Sequence, residues 1–288
     1  ATLTNTNAIT LNGVGSLNLS GDNITFNNSL NINSDVTIIG NGNGAMVNGG
    51  AISGANALTI SLTNAGMTLN TVTLTGGSDL NIDVNGNITQ TGIFTVSGAT
   101  GLTANNGAIS LSQNNQFTGI VTLTNSGAND VNINNAIDLT LGVTNIGKKF
   151  TATTSGTLTL AGNISANNTG DSIVLSSARF DNSGAYTLSP NAGRYLIWSS
   201  NPNPFGGATP DILGGITYDF KQYNATYNVT PVQGAGNGVL YTLSPQVTIS
   251  LIANPVATKV YDGLLTGAPL VTSNYEVSSG IDGDLVTI

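Results

Sequence analysis

Apolar and polar residues alternate along most of this chain in short runs, of which Leu17-Asn18-Leu19, Ile24-Thr25-Phe26 and Leu30-Asn31-Ile32 are typical. Period-two alternation over a few residues, bounded by Gly, Asn and Ser, predicts half-buried strands. No helical period of ten residues or more is evident. The alternating pairs recur every six to ten residues, too closely for the long strands of an ordinary β-sandwich.

A coarser repeat overlies the alternation. A small motif, Gly/Asn, then Asn/Ala, then Ile, then Ser/Thr, places Ile9, Ile52, Ile88, Ile109 and Ile164 in similar surroundings, with gaps of 43, 36, 21 and 55. Those gaps are near two, two, one and three multiples of a unit of roughly 18–21 residues, the mark of a β-solenoid with about three short strands per coil. One such coil cannot bury its own inward face, whereas stacked coils bury a continuous core. Coils stack at about 4.8 Å, so residues 1–185 predict about nine coils and a rod near 40 Å. The register places Ile109 and Leu111 inward, with Ile88 on the coil beneath Ile109. Gly and Asn suit corners that need positive φ, and stacked Asn amides can bond to the coils above and below. An irregular β-sandwich is the competing architecture.

Composition sharpens this picture. The chain has 6 Lys+Arg against 14 Asp+Glu, a net charge of −8, 37 Gly, and no His or Cys. Disulfides, thiol chemistry, Cys/His zinc sites and histidine general bases are thereby excluded. A nucleic-acid partner is not expected, because neutralising phosphates requires Lys and Arg. No apolar stretch approaches the length of a membrane-spanning helix. Residue 1 is Ala and no leader is recognisable, so the chain reads as a mature product or an excised piece. Lack of Cys suits export across a bacterial envelope.

Two composition breaks divide the chain. All eight prolines lie at or beyond Pro190, and all six basic residues at or beyond Lys148. Proline removes ladder donors, so its absence fits coils over 1–185. Residues 186–245, rich in Pro and aromatics, predict a β cap over the open end of the solenoid. Residues 246–288 alternate again and predict the beginning of a further β module.

The stretch FTGIVTLTNSGANDVNINNAIDLTLG (117–142) resembles coils of the filamentous-haemagglutinin-like, two-partner-secreted exoproteins of Gram-negative bacteria. GRYLIWSSNPNPFGG (193–207) and GGITYDFKQYNATYNVTP (214–231) are similar to the segment that follows the β-helix in many of them. TKVYDG (258–263) with SNYEVSSGIDGDLVTI (273–288) looks like the start of their Ig-like, YDG-type module. The resemblance implies a right-handed parallel β-helix in a large secreted or surface-tethered adhesin. Its partners would be a host-cell or neighbouring-cell surface or a matrix polysaccharide, and end-to-end self-association is open to a rod with uncapped ends. The family's contact with its outer-membrane transporter belongs to an N-terminal domain whose motifs are not in this sequence.

No catalytic constellation is expected. Hydrolysis of glycosides needs two carboxylates at a set separation, but Asp22, Asp35, Asp79, Asp83, Asp130, Asp138 and Asp171 are scattered and the sole Glu is Glu276. No cofactor is expected either. Asp79, Asn81, Asp83 and Asn85 would share an outward strand face behind Leu80, Ile82 and Val84, making Asp79 and Asp83 the candidate Ca²⁺ ligands. A solvated strand face explains the same row. Asn-x-Ser/Thr occurs at Asn18, Asn23, Asn27, Asn87, Asn163, Asn167, Asn224 and Asn228, several by chance alone in so Asn- and Thr-rich a chain. Tyr218, Phe220, Tyr223 and Tyr227 are candidates for stacking on sugars, with core and cap packing as the alternative.

Overall fold

The computed structural model describes residues 2–3, 9–13, 15–19, 23–44, 46–246, 248–253, 255, 270–278, 282 and 284. The chain is all-β, a parallel β-solenoid of about 10 turns, with a single short 3₁₀ turn at Thr272–Asn274 as the only helical element among the described residues.

Period-two alternation builds the coils as expected. In Leu80–Val84 the odd members of the run, Leu80, Ile82 and Val84, are buried and the intervening Asn81 and Asp83 are exposed. Each strand pairs in parallel with the equivalent strand one coil on, as Met67 does with Ile88 and Ile88 with Ile109. Up to Ser199, partners lie mostly 20–22 residues apart, contracting to 19 at Val131–Phe150 and widening to 24 at Ile164–Leu188, whereas the next step, from Leu196 to Gly238, spans 42. Ile88, Ile109 and Leu111 are fully buried, as the register requires.

Three faces enclose the core. On the first, Ile24, Met46, Met67, Ile88, Ile109, Val131, Phe150, Ile173 and Tyr195 stack in one inward column. The second carries Leu30, Ile52, Val72 and Phe94, and the third Val36, Leu58, Leu80, Thr100, Val121 and Leu141. The strand Ile109–Phe117 runs through both the first and second faces. Beyond it the third face divides, since Leu139–Ile146 pairs with both Thr157–Leu160 and Ile164–Ala166.

These columns correct one inference. The five motif isoleucines do not occupy equivalent places: Ile9 and Ile52 lie on the second face, Ile88 and Ile109 on the first, and Ile164 on the third. The motif marks the step from a corner into a strand, which every corner of the coil repeats. The true unit of about 21 residues is therefore read from Ile88 and Ile109 alone.

At the corners, stacked asparagines bond from coil to coil as expected, as Asn33 does to Asn12, but they do not take positive φ there. The only described asparagines at positive φ are Asn224 and Asn228, both outside the coils. Corner Asn and Asp instead bond to the next coil. Asp35 and Asp79 accept the amides of Ala57 and Ala99, at 2.9 and 2.8 Å, and Asn87 and Asp130 accept those of Ala108 and Lys149, at 2.8 and 3.3 Å. Within each column the acceptors thus occur on alternate coils. Outer ladders join Asn85 to Asn106 and Thr68 to Thr89, each at 2.7 Å. Gly66, Gly86 and Gly107 let the corner backbones touch: a Cβ on Gly107 would lie 2.1 Å from the Gly86 carbonyl carbon.

Parallel stacking does not stop at residue 185. Gly193–Ser199 pairs in parallel with Gly170–Ser177, with a register shift between Asp171 and Ile173, and Gly238–Tyr241 pairs with Gly193–Ser199 in turn. The prolines do not block this, because Pro190, Pro202, Pro204, Pro210, Pro231 and Pro245 all fall in the connections between strands. Farther on, Thr248–Leu251 and Tyr275–Ser278 form an antiparallel pair, while Tyr261-Asp262-Gly263 lies outside the described residues.

Candidate functional site

The outward columns of the first face change character along the rod. One reads Thr68, Thr89, Ser110, Asn132 and Thr151, then turns apolar at Val174 and Leu196; its neighbour passes from Asn134 and Thr153 through Ser176 to Trp198 and Leu240. Outward apolar residues need a cover. Residues 223–232 supply it: they leave the strand Phe220–Gln222, which pairs with Gly238–Tyr241 in the same sheet, and fold back so that Ala225 is buried with Val174, Leu196, Trp198 and Leu240, while Phe220, Tyr227 and Val232 pack against them. This second apolar cluster lies outside the solenoid wall, back to back with the main core.

Specific bonds hold this flap. Arg194 donates from Nε to Asp171 Oδ1 at 2.6 Å and from Nη1 to the Gly234 carbonyl at 2.8 Å. The Ala225 amide donates to the Tyr241 carbonyl, and the Thr226 amide to Thr230 Oγ1, each at 2.9 Å. Phe220 has a slot only because two neighbours lack side chains: a Cβ on Gly238 would come within 2.1 Å of its ring, and one on Gly234 within 2.2 Å.

At the edge of the flap a cleft of about 260 Å³ opens between the sheet and residues 227–232. Its floor is Val174, Leu196 and Trp198, and its rim carries Lys149, Asp171, Tyr227, Asn228 and Thr230. The Trp198 and Tyr227 rings meet edge to face, with centroids 5.6 Å apart. Burial raises the Tyr227 phenol above its usual pKa, so it is a neutral hydroxyl at physiological pH. Trp198 is only 5% exposed, and its Nε1 has no acceptor among the described residues.

The four aromatics picked from the sequence do not form one platform. Phe220 and Tyr227 belong to the outer cluster, whereas Tyr218 and Tyr223 pack against the main core. Tyr223 stacks on Tyr241 with centroids 5.9 Å apart and meets Phe205 edge to face at 6.1 Å. Beside it, Lys221 Nζ lies 5.7 Å from the Phe205 ring centre, 3.0 Å from Asp282 Oδ2, and in an ion pair with Asp284, to which the Tyr223 hydroxyl also donates. Trp198, Lys149 and Arg194 are not among the candidates read from the sequence, and Asp171 figures there only as one of the scattered carboxylates. A signal for them exists in Ile173-Val174-Leu175 and Tyr195-Leu196-Ile197-Trp198, where alternation gives way to unbroken apolar runs that mark strands covered on both faces.

Asp79 and Asp83 are not brought together as ligands. Asp83 is on the outer face of its strand, where its carboxylate accepts the Asn105 amide at 2.8 Å. Asp79 sits at the preceding corner with its carboxylate turned to Ala99. Among the described residues no three Asp, Glu, His or Cys gather as a metal site would require.

A family described as repeats of unknown function (DUF5649) matches residues 55–124, a stretch of successive coils that includes Leu58–Leu62, Leu80–Val84 and Thr100–Ala104. No curated protein matches the chain. No solved structure matches it either.

Proposed function

We propose that this chain is a structural and adhesive segment: a stiff stalk of a large exoprotein, secreted by or tethered to the surface of a Gram-negative bacterium. The observation behind this reading is the continuous first-face column from Ile24 to Tyr195, in which every coil is bonded in parallel to the next. Such a rod resists bending because bending would break many parallel ladder bonds together. Adhesion would then sum many weak contacts along its length. The resemblance to filamentous-haemagglutinin-like proteins supports the surface location, right-handed winding, and a YDG-type module beyond residue 246. Residues 186–245 act in this reading as the cap of the stalk, for which the flap over Val174, Leu196 and Leu240 is the structural support.

Display of the chain on a non-adherent bacterial host, paired with a reducing-sugar assay on polysaccharide substrates, tests the proposal. Increased attachment without sugar release is the expected result. Sugar release would point instead to an enzyme, and unchanged attachment would remove the adhesive role.

A further inference from the structure

We propose that the cleft between the first face and the flap binds one neutral pyranose ring, held by Lys149, Asp171 and Asn228 against the Trp198–Tyr227 corner. A stalk needs no pocket, so this site stands apart from the stalk reading.

Size argues for a single ring. At about 260 Å³ the cleft is smaller than the roughly 300–1,000 Å³ pockets of drug-sized ligands. Its chemistry argues for a polyol. The Lys149 ammonium has no carboxylate partner among the described residues, since the basic residues with ion pairs are Lys148, Arg179, Arg194 and Lys221. Across the rim, the Asp171 carboxylate is bound to Arg194 yet remains 37% exposed. A hydroxyl group both donates and accepts, so neighbouring sugar hydroxyls can satisfy an ammonium, a carboxylate and the Asn228 amide together. An acidic sugar would meet Asp171 and a chain of net charge −8, and an amino sugar would meet Lys149. Tyr227, only half-buried, offers its ring to the C–H face of the sugar, with Val174, Leu196 and Trp198 packed behind it and no more than 5% exposed.

The chain contains one tryptophan, so its fluorescence reports on this cleft. The full chain would be titrated with glucose, galactose, mannose and N-acetylglucosamine, and with glucuronate for comparison. We expect saturable change with at least one neutral sugar, at a dissociation constant of about 1–10 mM. Lys149→Ala and Asn228→Gly, the latter keeping the positive φ of residue 228, should each weaken binding about 10-fold without moving the melting midpoint. The proposal fails if no neutral sugar saturates, if only glucuronate binds, or if both variants bind as the parent does.

Discussion

Individual side chains reveal how narrowly the inward face is specified. Ile109 lies between Ile88 and Val131 in a fully buried column, and Ser110 beside it faces outward. Ile109→Asp leaves an unpaired carboxylate in the core and should cost about 3–5 kcal/mol, whereas Ser110→Asp should change stability by less than about 0.5 kcal/mol. Denaturant midpoints would measure both, and equal tolerance would mean a register wrong by one residue. Thr100 offers the opposite test. It interrupts an apolar column between Leu80 and Val121, and its buried hydroxyl has no partner among the described residues. Thr100→Val should therefore stabilise the chain by about 1 kcal/mol, and a lowered midpoint would show that the hydroxyl is bonded. At this scale the apolar inward set was legible, because alternation identifies Leu80, Ile82 and Val84 directly. The inward asparagines were not. Asn115, fully buried, accepts the Phe94 amide at 2.9 Å and donates to the Asn134 carbonyl at 3.0 Å, work that nothing in its local sequence distinguishes from that of a surface asparagine.

At the scale of the element, strands were legible and their connections were not. A strand is encoded by its own few residues, but a corner amide such as Asp79 to Ala99 depends on a residue one coil away. The flap hid for the same reason: Tyr227 finds its purpose only when Leu196 and Trp198 are known to face outward. Lys221, on the strand that leads into the flap, carries a pH dependence whose sign follows from its partners Asp282 and Asp284. Burial pushes the Asp284 carboxyl up, but hydrogen bonds from Lys221 and Tyr223 outweigh it and leave the group below its ordinary value of 3.8. For Lys221, burial acts downward and bonds to Asp284 and Asp282 hold the ammonium above 10.5. The depressed carboxyl stabilises the contact above its unfolded value and loses that contribution as the pH falls through the lowered one. The raised ammonium contributes below 10.5 and ceases to as the pH rises through the higher one. Contact of Lys221 and Tyr223 with Asp282 and Asp284 should hold from about pH 4 to about pH 10. Lys221→Met should raise the Asp284 midpoint, read from its carboxyl carbon shift, and an unmoved midpoint would show that the ion pair does not set it.

For the molecule as a whole, the solenoid was legible because its repeat is written in alternating runs, but where stacking ends was not. Proline content suggested an end near residue 185, yet the structure confines the prolines to connections and continues the ladder through Gly193–Ser199 and Gly238–Tyr241. If residues 186–245 close the stalk, a fragment ending at Ser189 should expose Val174 and the strand edge of Gly170–Ser177. That fragment should aggregate or associate end to end, while residues 1–245 stay soluble. A soluble, monomeric, cooperatively melting 1–189 fragment would refute the capping role.

Each coil lies in parallel on the next, about 21 residues on, and a chain without cysteine allows this stacking to be read as a bond. Thr68 pairs with Thr89, and Thr89 with Ser110. Adjacent coils place such positions about 4.8 Å apart, within disulfide reach, and positions two coils apart about 9.6 Å, beyond it. On mild oxidation the Thr68→Cys/Thr89→Cys variant should close an intramolecular disulfide, and the Thr68→Cys/Ser110→Cys variant should stay reduced. Closure of the second pair in preference to the first, or of neither, would contradict the stacked-coil account.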